Sequence, residues 1–180
     1  MKLVVGLGNP GTRFNFTRHN TGFLALDFYL KRRDGSWSEK PRLNAIFCEI
    51  EGVLNGEKVL LIKPQDFYNL SGVAVASYAR YYKIPASDIL VICDNFDLEF
   101  GKVRFRSSGS SGGNNGLKSV DKELGSSDYA RIRVGTKNDA ILSKVGAVDF
   151  VLSRFTPEEK AALPGILIEV CERIDEFIAG

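Results

Sequence analysis

Ile89-Leu90-Val91-Ile92-Cys93 has no polar residue and no alternation. As a strand it is apolar on both faces and belongs in the middle of a sheet. Upstream, Lys2 to Leu7 is another short apolar run punctuated by glycine, again the pattern of a buried strand. Thr21 to Arg33 places Phe23, Leu26 and Leu30 at helical spacing, with Leu24 and Phe28 beside them and basic residues at the end. Ala45 to Val53 and Lys58 to Ile62 flank Asn55-Gly56, a hairpin signal. Ser71 to Tyr82 reads as a second helix, stopped before Pro85. Downstream, Lys102 to Arg106 and Ala130 to Val134 alternate cations with apolar residues, as half-buried strands do. Between them lies Ser107 to Gly116, rich in Ser, Gly and Asn, followed by a short helix from Leu117. Thr156-Pro157-Glu158-Glu159 supplies an N-cap, a first-turn proline and a capping-box acid for a helix running to Phe177. Pro164 is expected to kink or split that helix. Strands and helices alternate along the chain, so the class is α/β, and the hairpin makes the sheet mixed.

The chain has 180 residues, 44% of them apolar, enough for one domain with a full core. No apolar run reaches the length of a membrane span. Met1 to Gly6 is too short and too soon interrupted for a signal peptide. Cys48, Cys93 and Cys171 are isolated and lack metal-type spacing, which reads as reduced thiols in a cytosolic protein. With one histidine and no cysteine pair, a zinc site is not expected. Net charge is only +2, yet Lys102 to Lys144 carries nine Lys and Arg against four Asp and Glu. Basic charge gathered in one stretch suits a polyanionic partner, though an ordinary solvated surface has the same composition.

The single histidine, His19, lies in Arg18-His19-Asn20. Imidazole exchanges a proton near neutral pH, so any imidazole acid–base chemistry here has one candidate. Just before it, Gly6-Leu7-Gly8-Asn9-Pro10-Gly11 matches the dinucleotide-binding fingerprint. The context does not match. Thr12 to Asn20 is polar where an apolar helix should open, and no acid ends a second strand about 20 residues on. Asp94 follows the central strand at its carboxyl end, where open α/β sheets bind ligands. A carboxylate there can hold one imidazole nitrogen and leave the other basic; a loop aspartate satisfying nearby amides fits the same letters. Asn9, Asn69 and Asn115 each sit beside a glycine, a proline or a helix start. Singly they read as turn or cap residues. Together they make a neutral site able to read a peptide backbone.

Gly6 to Gly11, Thr17-Arg18-His19-Asn20, Asn69-Leu70-Ser71-Gly72, Asp94 to Leu98 and Gly112-Gly113-Asn114-Asn115-Gly116-Leu117-Lys118 occur in an order and spacing that resembles bacterial-type peptidyl-tRNA hydrolase. The resemblance runs from Lys2 to about Phe155. It implies a single domain over residues 1–180, a three-layer α/β/α globule around a twisted mixed sheet. It also implies a cytoplasmic monomer without metal or cofactor. The implied activity is hydrolysis of the ester joining a peptide to the 3′ end of tRNA, recycling tRNA from prematurely released peptidyl-tRNA. By position, His19 resembles the general base, Asp94 the group that keeps it basic, and Asn9 the residue that distinguishes blocked from free aminoacyl ends. Phe14, Phe67, Asn69, Asn114 and Asn115 match substrate-contact positions. Arg106 and Arg133 match cations that grip the tRNA 5′ phosphate, and Arg104 and Arg131 share their cationic strand faces. Asn114 stands where many relatives have histidine, Ser111 replaces a second one, and Phe14 lacks a hydroxyl that relatives often carry. Gly180 ends the chain somewhat early for the family. A non-catalytic RNA-binding relative and, further off, a nicotinamide enzyme are the competing readings.

Overall fold

The computed structural model describes residues 1–51 and 56–180. The expected hairpin turn at Asn55, with Val53 before it, lies outside the described residues. Seven strands form one sheet in the order β2-β3-β4-β1-β5-β7-β6: β1 Lys2–Gly6, β2 Ser38–Lys40, β3 Ala45–Ile50, β4 Val59–Pro64, β5 Ile89–Glu99, β6 Val103–Arg106 and β7 Ala130–Lys137. β1 runs parallel to both β4 and β5, and β5 parallel to β7. β2, β3 and β6 pair antiparallel with their neighbours. The sheet is therefore mixed, with its parallel strands at the centre.

Side-chain alternation along the central strands divides the core between two faces. Leu3, Val5, Leu60, Ile62, Val91 and Cys93 point to one side, where α2 (Ser71–Tyr82) and α3 (Asn115–Leu124) cover them with Val75, Tyr78, Leu117 and Val120. Val4, Leu61, Leu90, Ile92 and Ile132 point to the other, under α1 (Thr21–Lys31) and α5 (Pro157–Ala179). This is the three-layer α/β/α arrangement with a mixed sheet expected from the resemblance. Truncating a buried leucine such as Leu26 or Leu167 to alanine costs about 2–5 kcal/mol.

Two local features set where the helices stand. A Cβ at Gly22 would collide with the Leu7 backbone and the Ile92 carbonyl, so only glycine lets the start of α1 lie directly on the ends of β1 and β5. At the other end of the chain, Thr156 and Glu159 form the expected capping box. Pro164 does not split α5, which continues unbroken to Ala179. Both Pro164 and Lys160, whose carbonyl loses its intrahelical partner, are exposed, so the missing bond falls on the solvent side of the helix.

A helix not anticipated from the sequence, α4 (Asp139–Leu152), joins β7 to α5. Its N-cap is Asn138, whose side chain accepts from the Ile141 amide, and it breaks at Gly146 (φ 77°, ψ 169°), a conformation that favours glycine. Among the described residues, no helix is long and apolar enough to cross a membrane.

Candidate active site

The carboxyl ends of β1, β4 and β5 converge, as do the loops that follow them. After β1, a side chain at Gly8 would strike the Phe23 ring, so the turn can press against α1. Asn9 and Asn20 then lock two segments together. The Asn9 amide donates to Asn20 Oδ1 (2.9 Å), and Asn20 Nδ2 donates back to the Asn9 carbonyl (3.0 Å). This pair holds the short 3₁₀ turn Arg18–Asn20, and with it His19, at the mouth of the sheet.

His19 Nδ1 lies 2.9 and 3.0 Å from the two oxygens of Asp94. Asp94 is 2% exposed, so water does not compete for its charge. An ionised carboxylate only accepts, which puts the proton on Nδ1 and leaves the Nε2 lone pair free. Asp94 sits within β5 rather than after it. The strand continues to Glu99 with a register shift beyond Asn95, so the loop expected at 94–98 is irregular strand.

A residue that the sequence did not single out completes this centre. Tyr68, from the turn after β4, stacks on the imidazole with ring centroids 3.5 Å apart and planes 9° off parallel. Its hydroxyl donates to Asp94 Oδ1 at 2.7 Å. Burial and the adjacent Asp94 push its phenol well above the ordinary tyrosine range, so it stays a neutral donor. Burial, followed by Asp94, likewise pushes the Cys93 thiol up to about 12, which makes it a poor nucleophile.

Two cavities meet at His19. One, of about 230 Å³, is lined by Asn9, Phe67, Asn69, Asn115 and the α4 residues Val148 and Leu152. In it the Asn9 side chain has a fixed orientation: Oδ1 accepts from the Tyr68 amide at 2.8 Å, so Nδ2 is the end left to donate. Phe14 meets Phe67 edge-on at 6.4 Å beside this cavity. The other cavity, about 270 Å³, runs past Asp94 and Asn114 to Arg133. The expected residues Asn9, Phe67, Asn69 and Asn115 are thus gathered around one imidazole. Val148, 75% exposed, and Val151 border both cavities. They were missed because the polar residues of α4 dilute its apolar spacing.

Asn114 departs from its expected place among the substrate contacts. Its Oδ1 caps α3 by accepting from the Leu117 amide (3.0 Å), and its Nδ2 donates to the Tyr68 hydroxyl (2.9 Å) and the Asp94 carbonyl (3.3 Å). Its amide is committed to protein partners.

The two cationic strands pair with each other, with Arg104 opposite Arg133 and Arg106 opposite Arg131. Arg104 and Arg106 are exposed, and Arg133 is half-buried. Arg131 is the correction. It is 1% exposed, and its guanidinium donates to the carbonyls of Gly109, Ser110, Ser127 and Tyr129. It ties the Ser/Gly-rich segment to the sheet and has no face for a phosphate. Arg133 Nη2 also donates to the Ser110 carbonyl (2.7 Å), and its guanidinium packs so close to Gly112 that a Cβ there would overlap it.

Arg18, next to His19, is fully buried and pairs bidentately with Glu159 at 3.0 and 2.7 Å. It also donates to Thr136 O and Ser153 Oγ and lies over the Phe150 ring. Burial raises the Glu159 carboxyl, but Arg18, Asn138 and the Thr156 amide together hold it below the usual carboxylate range. The turn bearing the imidazole is thereby tied to β7, α4 and α5. Among the described residues, no three His, Cys, Asp or Glu side chains cluster as metal donors would.

The family model for peptidyl-tRNA hydrolase matches residues 3–180. A peptidyl-tRNA hydrolase from Chloroflexus aggregans is 42% identical over 180 residues, covering 99% of this chain and 93% of its own. One from Desulforudis audaxviator is 46% identical over 168 residues, covering 93% of this chain and 82% of its own. The crystal structure of peptidyl-tRNA hydrolase from Acinetobacter baumannii superposes with a TM-score of 0.89 at 26% identity, over 99% of this chain and 88% of that one. The chain belongs to the peptidyl-tRNA hydrolase family.

Proposed function

We propose that this chain hydrolyses the ester between a peptide and the 3′ end of tRNA, with His19 as general base toward water. The observation that carries this reading is one imidazole held through Nδ1 by a buried carboxylate, at the junction of two cavities. Water gives its proton to Nε2 as its oxygen attacks the ester carbonyl. Asp94 stabilises the imidazolium that forms, and Asn9 Nδ2 donates to the oxygen that becomes negative. The bond from the carbonyl carbon to the ribose 3′ oxygen then breaks, and the imidazolium returns its proton to that oxygen. The products are tRNA with a free 3′ hydroxyl and a peptide carboxylic acid, which loses water's second proton to solvent and leaves as the carboxylate. A positioned base contributes roughly 10²–10⁴-fold, and an oxyanion donor about 10²–10³-fold.

Ser71 does not compete as a nucleophile. It is fully buried, and its hydroxyl donates to the Tyr68 carbonyl at 2.9 Å, with the only histidine already engaged by Asp94. In this reading the cavity bearing Asn69 and Asn115 takes the peptide backbone. Phe14 and Phe67 offer it an aromatic edge. The cavity that opens toward Arg133 takes the RNA end, with Arg104 and Arg106 adding cations for phosphates. We take the 180 residues to act as one cytoplasmic domain, as a monomer, on peptidyl-tRNA released prematurely during translation.

Single-turnover hydrolysis of an N-acetyl-aminoacyl-tRNA in ¹⁸O-water tests the scheme. One label enters the released carboxylate, no acyl-enzyme is trapped, and His19→Ala abolishes turnover while still binding the RNA. A covalent acyl-enzyme, or full turnover by His19→Ala, overturns it. Binding of the RNA by the unaltered protein without acyl release would favour the RNA-binding alternative.

A further inference from the structure

Tyr68 is joined to both members of the catalytic pair, and a chain of hydrogen bonds with one permitted direction fixes its proton. The Leu117 amide donates to Asn114 Oδ1 (3.0 Å), so Asn114 turns its Nδ2 toward the Tyr68 hydroxyl (2.9 Å). That nitrogen only donates. The hydroxyl therefore accepts from Asn114 and has a single place for its own proton, Asp94 Oδ1 at 2.7 Å. Tyr68 is 2% exposed, so water cannot replace these bonds. Its ring, parallel to the imidazole at 3.5 Å, fixes the plane in which Nε2 points.

We propose that Tyr68 is a positioning residue for this reaction: its hydroxyl, oriented by Asn114, moderates the pull of Asp94 on His19, and its ring sets the imidazole plane. The proposal rests on His19 acting as the base. A hydrogen bond donated to a carboxylate stabilises its charge and lowers its basicity. Without that donor, Asp94 holds the imidazolium more tightly, and less free base is present at neutral pH. Among the described residues, the other ionisable groups lining the cavities around the pair are Cys93 and Asp97 of β5 and Arg133 of β7, whereas α4 contributes the apolar Ala147, Val148, Val151 and Leu152. None of them changes in a Tyr68 variant.

Because the chain has one histidine, an NMR titration of the imidazole reads His19 directly and can be set beside the pH profile of kcat/KM. Tyr68→Phe keeps the stack and removes the donor. It should move the imidazole titration and the acid limb of kcat/KM upward by about 0.5 to 1 in pH. Activity should then fall about 3- to 10-fold on the acid limb and recover to within about twofold on the alkaline plateau. Tyr68→Leu, lacking the stack as well, should lose activity at every pH. Asn114→Ser retains a helix cap but no longer reaches Tyr68. It should shift the profile in the same direction by less, and produce no further shift in the Tyr68→Phe background. An equal loss at all pH values with an unmoved imidazole titration, or no change in either measurement, refutes the proposal. Should Tyr68→Phe not fold, the Asn114→Ser titration alone decides. If His19→Ala turned over normally, the base assignment itself would fail, which is a different result from any Tyr68 outcome.

Discussion

The surroundings of Asp94 and the cationic ladder of β6 and β7 belong to the same sheet but treat charge in opposite ways. Asp94 is buried and meets donors from His19 and Tyr68, while Asn114 steadies the hydroxyl and the backbone beside it. Each donor has a fixed direction, and the charge is stabilised by hydrogen bonds from within the protein. On β6 and β7, arginine faces arginine in register. Among the described residues, neither Arg104, Arg106 nor Arg133 has an acidic partner within ion-pair distance. Directly opposed like charges cost about 0.2–1 kcal/mol each. The first region uses its polarity to hold a geometry, and the second keeps charge available for an anion from outside. Under the proposed function, chemistry and recognition are separated accordingly, and substitutions in the two regions should fail in different ways.

The largest effect should come from breaking the closed region at its charge. Asp94→Asn keeps the shape but offers an amide where the imidazole needs an acceptor. We expect kcat to fall about 10²- to 10⁴-fold with little change in KM, measured by steady-state hydrolysis of N-acetyl-aminoacyl-tRNA. A matching rise in KM would merge the two regions functionally. Next is the support beneath the imidazole. Glu159→Gln leaves Arg18 buried without its counter-charge and should destabilise the fold by about 3–5 kcal/mol in urea unfolding. Because Glu159 is held below the usual carboxylate range, its contribution is complete above the unfolded carboxylate value of about 4.3. It is lost as pH falls through the folded value. Stability of the unaltered protein should drop on acidification, and the variant should show a shallower drop.

The open region should respond in KM and in salt dependence. Arg133→Ala should raise KM several-fold, leave kcat within about twofold, and reduce the log–log slope of tRNA affinity against salt by about 1. The smallest effect is the sharpest contrast. Arg104→Ser removes one member of a like-charged pair and should stabilise the free protein by a few tenths of a kcal/mol while modestly weakening tRNA binding. Loss of stability in that variant would mean that the ladder is a structural element after all.

The sheet was largely legible because central strands such as Ile89-Leu90-Val91-Ile92-Cys93 need only local hydrophobicity to be recognised. His19 and Asp94 were individually visible as residue types suited to the chemistry, but their meeting depends on β1 and β5 being neighbours. Tyr68 was not legible. In Phe67-Tyr68-Asn69 nothing distinguishes a core tyrosine from one whose hydroxyl reaches a carboxylate on another strand. Arg131 was misplaced for a related reason: alternation tells which face a side chain takes, but not that the segment at Gly109 and Ser110 folds over that face. Asn114 joins the substrate contacts only through the resemblance, whereas both ends of its amide are fixed by protein partners. α4 escaped because Gly146 interrupts it and Lys144 and Asp149 break up its apolar spacing.

The guanidinium of Arg18 joins the imidazole-bearing turn to β7, α4 and α5 through a single buried group. A local fluctuation that frees His19 must break that group's contacts with all of them, so the site has no inexpensive way to open by itself. Heat inactivation should coincide with the global melting transition, and amide protons of residues 18–20 should exchange as slowly as those of the central strands.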